Sequence, residues 1–489
     1  MSMMTDRGHR EAGRPRRIVI VGGGITGLAT AYRLQAIARD RAEPLDIIVL
    51  EREARLGGKI QTEHVGGFTI EAGPDIFLAR KPRGLGLCRE LGIDDRIQPT
   101  NPDCRGSYIQ RNGALYRLPE GLSGLIPTRL GPMVRSPLLS PWGKLRMALD
   151  WILPARSGDA DESVADFVSR RLGKEVYEQL VEPLLGGIYG AGGHALSLKA
   201  TFPHLRELER AHGSLLRGLM AKQTAQRVPL RYSAFVTMKG GMGELIARLA
   251  AQLTDVRLCT GRQVAAVSRT ENGYRVLTDS DSTMEADAII VTTPAYVAAR
   301  LVEAVDTQLA DELRAIPYGS TATLSVAFNM ADVPRPLDAY GYIIPRSEAK
   351  HILACTWTST KIPGRAPEGM ALIRVFLGRA DSEEILEQND GALLATALAE
   401  LKATLGITAI PLFRRIFRWP RSMPQYVLGH PERLERITQY LKAHPGLFIA
   451  GSAYRGVGIP DCIEDGENAA QQALAFLFMD RAPSFATPM

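Results

Sequence analysis

The hydrophobic pattern changes period along the chain. Residues 18–21 form an unbroken β-branched run, which predicts a buried parallel strand, and residues 28–34 then read as a helix. Residues 46–50 predict a second strand ending in Glu51. From about 88 to 230 strand alternation is lacking, and stretches such as 144–153 and 164–172 read as helices. Short strands follow at 264–267, 274–277 and 288–292. Residues 323–328, 342–345, 351–357 and 371–377 alternate enough to predict an antiparallel sheet. Residues 447–450 predict one more strand, and about 462–476 a closing helix.

Between the first strand and helix lies Gly22-Gly23-Gly24-Ile25-Thr26-Gly27, a GxGxxG in the order a dinucleotide fingerprint requires. Gly22 makes the tight turn, Gly24 admits a pyrophosphate, and Gly27 lets the helix pack on the strand. The helix amino terminus supplies N–H groups to the phosphates. Glu51 stands where an acid can bind a ribose hydroxyl, its alternative being a surface glutamate beside a glycine turn. Arg52, Arg55, Gly57, Gly58 and Lys59 follow at once, two glycines for another close approach and basic groups for phosphate. The segment 52–59 resembles the FAD-binding motif of amine-oxidase-type flavoproteins, and residues 71–75, Glu-Ala-Gly-Pro-Asp, read either as a plain turn or, on that resemblance, as a strap beside a flavin. A strand, a glycine loop and a helix recur at Gly451, Gly456, Gly458 and Ile459. Their N–H groups could stabilise charge on a reduced flavin. The cofactor unit is therefore expected to be discontinuous, built from 16–87, 228–300 and 440–480. A helical unit at 88–227, a substrate unit at 301–439 and a basic tail at 1–15 complete the expected layout.

The chain has 489 residues, 45% apolar and 23% charged, which excludes disorder as its main state. Its five scattered cysteines include no CxxC pair, which argues against a disulfide framework or a cysteine-built zinc site and suits a cytoplasmic protein. The net charge of +6 is partly carried by the arginine-rich start, and no nucleic-acid partner is expected. No apolar run reaches the ~18 residues of a membrane span. Residues 121–149 lack an acid and carry Arg129, Arg135, Lys144 and Arg146 among apolar residues. They read either as an ordinary amphipathic helix pair or as peripheral contact with the membrane inner face. No HExxH and no GxSxG occurs, so no metal site and no catalytic side chain is assigned.

The glycine block at 22–27, Gly57-Gly58-Lys59-Ile60-Gln61-Thr62, Gly73-Pro74-Asp75 and Glu182-Pro183-Leu184-Leu185-Gly186-Gly187-Ile188-Tyr189 together resemble a known family. Ala354-Cys355-Thr356-Trp357, Met423-Pro424-Gln425-Tyr426 with Gly429-His430, and residues 456–462 extend the likeness nearly end to end. The family is the oxygen-dependent protoporphyrinogen/coproporphyrinogen oxidases, and the likeness is greatest to the coproporphyrinogen III oxidases of Gram-positive bacteria. The basic tail is the main departure. The resemblance implies a monoamine-oxidase-like fold: an α/β Rossmann-type FAD domain, an antiparallel-sheet substrate domain and a helical domain. It implies FAD, removal of six hydrogens from a porphyrinogen, and reduction of three O₂ to three H₂O₂, with the flavin as hydride acceptor. A ferrochelatase is the implied downstream partner. On this family pattern Gly22, Gly23, Gly24, Ile25, Thr26, Gly27 and Arg55 meet the FAD phosphates, Glu51 the ribose and Val264 the adenine. Arg52, Gly57, Gly58, Lys59, Ala72 and Gly451 complete the cofactor shell. The ring lies near Gly73, Pro74, Trp419, Val457, Gly458 and Ile459, although Trp419 could instead be a core aromatic. Ile188, Ile343, Thr356, Trp357 and Phe376 line the substrate cavity. Arg80 and Lys81 either steer propionates or form a solvated pair. Protoporphyrinogen IX remains the alternative substrate. An amine oxidase or carotenoid desaturase remains the alternative enzyme, and a flavin-binding protein with a dead site the alternative to an enzyme.

Overall fold

A computed structural model describes residues 14–104, 106–119, 122–123, 126–127, 130–190, 192–225, 232–379 and 383–478. The start of the expected basic tail lies outside these residues. Strand Arg16–Val21 is the middle of a five-stranded parallel sheet. Leu45–Leu50 and Val256–Cys259 lie on one side of it, and Ala288–Val291 and Leu447–Ile449 on the other. Its strands come from three distant parts of the chain. Parallel strands are buried on both faces, which is why Ile18, Val19 and Ile20 show no polar alternation and no exposure. Helices Ile25–Arg41 and Ile459–Phe478 pack together over one face.

The second sheet has seven strands in the order Phe413–Pro424, Tyr318–Asn329, Met370–Leu377, Ile352–Trp357, Gly341–Ile343, Tyr108–Arg111 and Ala114–Arg117. One of its faces packs on helix Asp390–Leu405 through Leu324, Val326, Ile373, Val375 and Trp357. The other face turns toward the 72–75 strap.

Two expected boundaries move. Residues 108–117, assigned by sequence to the helical unit, are a hairpin at the edge of the substrate sheet. Helices Ala295–Val302, Thr307–Arg314 and His430–Lys442 share a hydrophobic core with the parallel sheet, although Thr307–Arg314 and most of His430–Lys442 fall in the expected substrate unit. Pairing between distant segments decides membership, and local periodicity does not carry it. Strand Phe413–Pro424 was also missed, because four arginines interrupt its apolar pattern. It is an edge strand, where charge on the exposed side guards against further pairing.

The glycine turn has no slack. A Cβ on Gly27 would stand 2.0 Å from the Gly22 carbonyl oxygen. Gly27→Ala should therefore push the first helix off its strand and cost about 3 kcal/mol. A drop of several degrees in the unfolding temperature of the cofactor-free protein is the expected reading.

Candidate functional site

The glycine turn is held by the acid that follows the second strand. Glu51 Oε2 accepts the Gly23 N–H at 2.7 Å, and Oε1 accepts that of Glu53 at 2.8 Å. Each carboxylate oxygen keeps a lone pair for a ribose hydroxyl. The Gly57 N–H donates to the Gly23 carbonyl at 2.8 Å, laying the second glycine segment along the first. Ile25, Thr26 and Gly27 open the helix and are buried. Arg55 donates to the Gly58 carbonyl at 2.7 Å, whereas Arg52 is exposed and pairs with Glu53. The segment leading to Val264 is tied back to the same acid, since the Arg262 N–H donates to the Glu51 carbonyl at 2.8 Å. Val264 itself is buried.

Gly24 tests whether a dinucleotide fits. Its φ of −73° and ψ of 178° are open to any residue, and a Cβ there would meet nothing within 4 Å. Neither backbone strain nor protein packing requires a glycine at this position. The open cradle at a helix amino terminus suits a phosphate. Two buried hydroxyls border the region with no hydrogen-bond partner among the described residues, Thr293 Oγ1 and Ser422 Oγ. Thr293 follows Thr292, whose hydroxyl donates to the Val21 and Gly22 carbonyls. Ser422 supplies the carbonyl that accepts the Lys59 ammonium. Burial pulls that ammonium below its ordinary pKa. The residues present therefore fit FAD.

The strap is anchored from the substrate sheet. The Ala72 carbonyl accepts from Trp419 Nε1 at 2.9 Å, Thr323 Oγ1 at 3.0 Å and Arg374 Nη2 at 3.0 Å. Arg374 also donates to the Gly73 carbonyl at 2.6 Å. Gly73 lies against the Lys59 carbonyl so closely that a Cβ would stand 1.9 Å from its oxygen. Pro74 follows, and Asp75 pairs with Lys361 at 2.8 Å. Burial would raise the Asp75 carboxyl, but Lys361 and Arg374 hold it below its ordinary value. On the far side, the Gly451 N–H donates to Asp465 at 2.8 Å and that of Gly458 to Asp461 at 3.1 Å. Val457 and Ile459 flank this second glycine at the start of the last helix.

On the strap-facing side of the sheet, Ile343 pairs with Ala354, and Ala354 with Phe376. Thr356 sits in the next row beside Arg374. Ile343, Ala354, Thr356 and Phe376 are half-buried, while the other residues of these strand segments are buried apart from Met370 at a strand end. Together they border accessible space on one face. Trp357 does not join them. It is 0% exposed and packs in the core on the opposite face, because successive strand residues point to opposite sides. Its assignment to the cavity is corrected on that ground. Ile188 belongs to helix Glu182–Tyr189, which crosses the strands carrying Ile343 and Thr356, and its side chain lies outside the description. Arg80 is exposed, with no charged partner among the described residues. Lys81 is engaged, its ammonium 2.5 Å from both oxygens of Asp461.

Sequence reasoning missed Thr293, Thr323, Lys361, Arg374 and Ser422. Arg374 left a signal, a lone cation inside the apolar strand Met370–Leu377. The others are ordinary small or surface-type residues whose roles depend on what folds against them.

The family model for flavin containing amine oxidoreductase matches residues 25–474. The coproporphyrinogen III oxidase of Bacillus subtilis (strain 168) is 36% identical over 468 residues, covering 95% of this chain and 99% of that protein. The protoporphyrinogen oxidase of Homo sapiens is 32% identical, covering 94% and 98%. The chain belongs to the flavin-containing oxidoreductases, among the porphyrinogen oxidases. A solved structure from Exiguobacterium sp. 255-15, assigned to protoporphyrinogen oxidase, superposes with a TM-score of 0.83 at 32% identity, covering 94% of this chain and 98% of that one. As a flavin-containing oxidoreductase, the chain has a use for the open space at Gly24.

That space makes a discriminating variant. Gly24→Ala should leave the cofactor-free protein within about 0.5 kcal/mol of wild type. It should bind FAD at least about tenfold more weakly, because the methyl group occupies the cradle. Thermal unfolding without FAD and a fluorescence titration with FAD check the two halves.

Proposed function

We propose that this protein oxidises coproporphyrinogen III to coproporphyrin III, with three O₂ reduced to three H₂O₂, and that protoporphyrinogen IX is its lesser substrate. The accessible row Ile343, Ala354, Thr356 and Phe376, facing the Ala72–Gly73–Pro74 strap, is the observation that carries the reading. A flexible macrocycle needs an apolar wall beside the redox group and cations for its carboxylates. When bound, FAD supplies the hydride acceptor and hands electrons to O₂. The glycine turns at 22–27 and 57–58 would hold its phosphates, and Glu51 its ribose. The strap and the start of the last helix would flank its ring. Arg374, Thr323 and Trp419 fix the strap, and Ile343 and Phe376 orient the macrocycle against it. In this division of labour the protein's contribution is position, and no side chain is asked to accept the hydride.

An amine oxidase reading would want an aromatic cage, and a carotenoid desaturase a long apolar tunnel. The row described here is short and mixed, with Thr356 and Arg374 side by side. Mixing FAD-loaded protein with each porphyrinogen in air, and following porphyrin fluorescence and H₂O₂, tests the proposal. Faster turnover of the tetracarboxylate is expected. Faster turnover of protoporphyrinogen would reverse the order of substrates, and bound FAD without oxidation of either would favour the desaturase or dead-site reading. Arg80, exposed and with no charged partner among the described residues, is the better candidate than the engaged Lys81 for steering propionates. Arg80→Ala should raise KM for coproporphyrinogen about 1.5-fold to fivefold, the loss of one exposed charge contact, and leave kcat near wild type.

Among the described residues no helix is long and apolar enough to cross a membrane. Peripheral contact has support of its own. Trp142 is 79% and Ile152 75% exposed, with Leu145, Leu149 and Trp151 exposed between them. Lys144 lies with Trp142 and Leu145 in helix Pro141–Ala148, and Arg217 sits over the Trp151 ring. Aromatic and apolar side chains beside cations suit an anionic lipid surface. The wild type should float with anionic vesicles, and the double variant Trp142→Ser, Ile152→Ser should stay behind. Release from the same surface would pass the porphyrin to a metal-inserting enzyme such as a ferrochelatase.

A further inference from the structure

We propose that Tyr426 is a positioning residue whose hydroxyl sets the glycine loop before the last helix according to what lies on the substrate side. The inference rests on the reading that loop 451–458 faces FAD. Tyr426 lies two residues beyond the arginine-rich edge strand, whose last two residues open the Met-Pro-Gln-Tyr segment.

Its hydroxyl donates to the Ser452 carbonyl at 2.7 Å and accepts the Gly456 N–H at 2.8 Å. One oxygen thus bridges both sides of the loop. Burial holds the phenol well above its ordinary pKa, so the donor is present throughout the working range. The ring stacks on His430 with centroids 4.3 Å apart and planes 11° from parallel. His430 Nε2 lies 3.3 Å from the Tyr454 carbonyl. Burial pulls its imidazole down to about 4, so it is neutral near pH 7. As a hydrogen-bond donor to that carbonyl it carries its proton on Nε2. Tyrosine and histidine together therefore fix the loop at residues 452, 454 and 456.

The same segment is held from the substrate side. Gln425 Nε2 donates to the Tyr189 carbonyl at 2.7 Å. Tyr189 ends the helix that crosses the strands carrying Ile343 and Thr356. The Ser197 N–H donates to the Tyr426 carbonyl at 2.8 Å, and the Gln425 N–H to that of Pro317 at 2.9 Å. A helix over the cavity, the substrate sheet and the cofactor loop all meet at residues 425 and 426. A ligand that displaces the helix pulls on Gln425, and Tyr426 passes that displacement to the loop.

The test compares full-length wild type with Tyr426→Phe and Gln425→Ala. Three quantities are read: FAD affinity, the visible flavin spectrum with and without coproporphyrin III, and the reduction potential of the bound flavin. Tyr426→Phe should bind FAD about tenfold more weakly, from two lost hydrogen bonds, with a shifted potential and a fall in kcat larger than any change in KM. Gln425→Ala keeps the hydroxyl. It should hold FAD within about twofold of wild type and lose the spectral response to the porphyrin. If Tyr426→Phe lowers only the unfolding temperature and leaves affinity, spectrum and potential unchanged, the hydroxyl is merely structural and the proposal fails. If Tyr426→Phe does not fold, Gln425→Ala decides alone, and a retained porphyrin response overturns the coupling. Wild type that binds no FAD would overturn the cofactor reading itself, a result distinct from both.

Discussion

The Ala72 carbonyl takes hydrogen bonds from side chains on three adjacent strands: Trp419, Thr323 and Arg374. The strap that follows strand Phe68–Glu71 is fixed to the substrate sheet at this oxygen. An amide carbonyl has two lone pairs, so three donors share it, and one of them is charged. A neutral hydrogen bond contributes roughly 1 kcal/mol and a charged one roughly 1.5–3. The larger effect is geometric. The strap cannot slide along the sheet without leaving Arg374 buried and without an acceptor, which is costly. Gly73 then admits the Lys59 carbonyl, and the glycine segment after the second strand is set by the same contact.

The charges beneath the strap follow the same logic. Asp75 is held ionised by Lys361 and Arg374, and Glu71 lies 3.5 Å from Arg365. A buried ion pair is weak evidence for stability, because desolvation offsets its Coulomb gain. Its effect here is to fix position. Each charge has its partner on another segment, so the strap, the turn at Lys361 and the strand carrying Arg374 have few alternative arrangements. A redox group placed beside such a strap meets fixed dipoles, which need little reorganisation as charge moves.

Much of the cofactor side was legible because its chemistry is local. A strand, a glycine turn, a helix and Glu51 lie within one stretch of chain, and each has a backbone reason for its identity. The substrate side was less legible. The row Ile343, Thr356 and Phe376 was reached through family likeness, and Trp357 was misplaced with them. Alternation along the strand separates Thr356 from Trp357, but which face meets the strap depends on strand order. Arg374 could have been found as a cation in an apolar strand. Thr323 and Ser422 left no comparable signal.

The sequence by itself determined the first strand, the glycine turn after it and the last helix, since glycine spacing and β-branched runs act within a few residues. Tertiary structure alone decided that the 108–117 hairpin joins the substrate sheet, that Lys81 is held by Asp461 while Arg80 stays exposed, and that Trp419 and Arg374 converge on one carbonyl. Those facts turn on hydrogen bonds and ion pairs between segments tens to hundreds of residues apart. Such pairings are selected by packing two cores against each other, and no local periodicity records them.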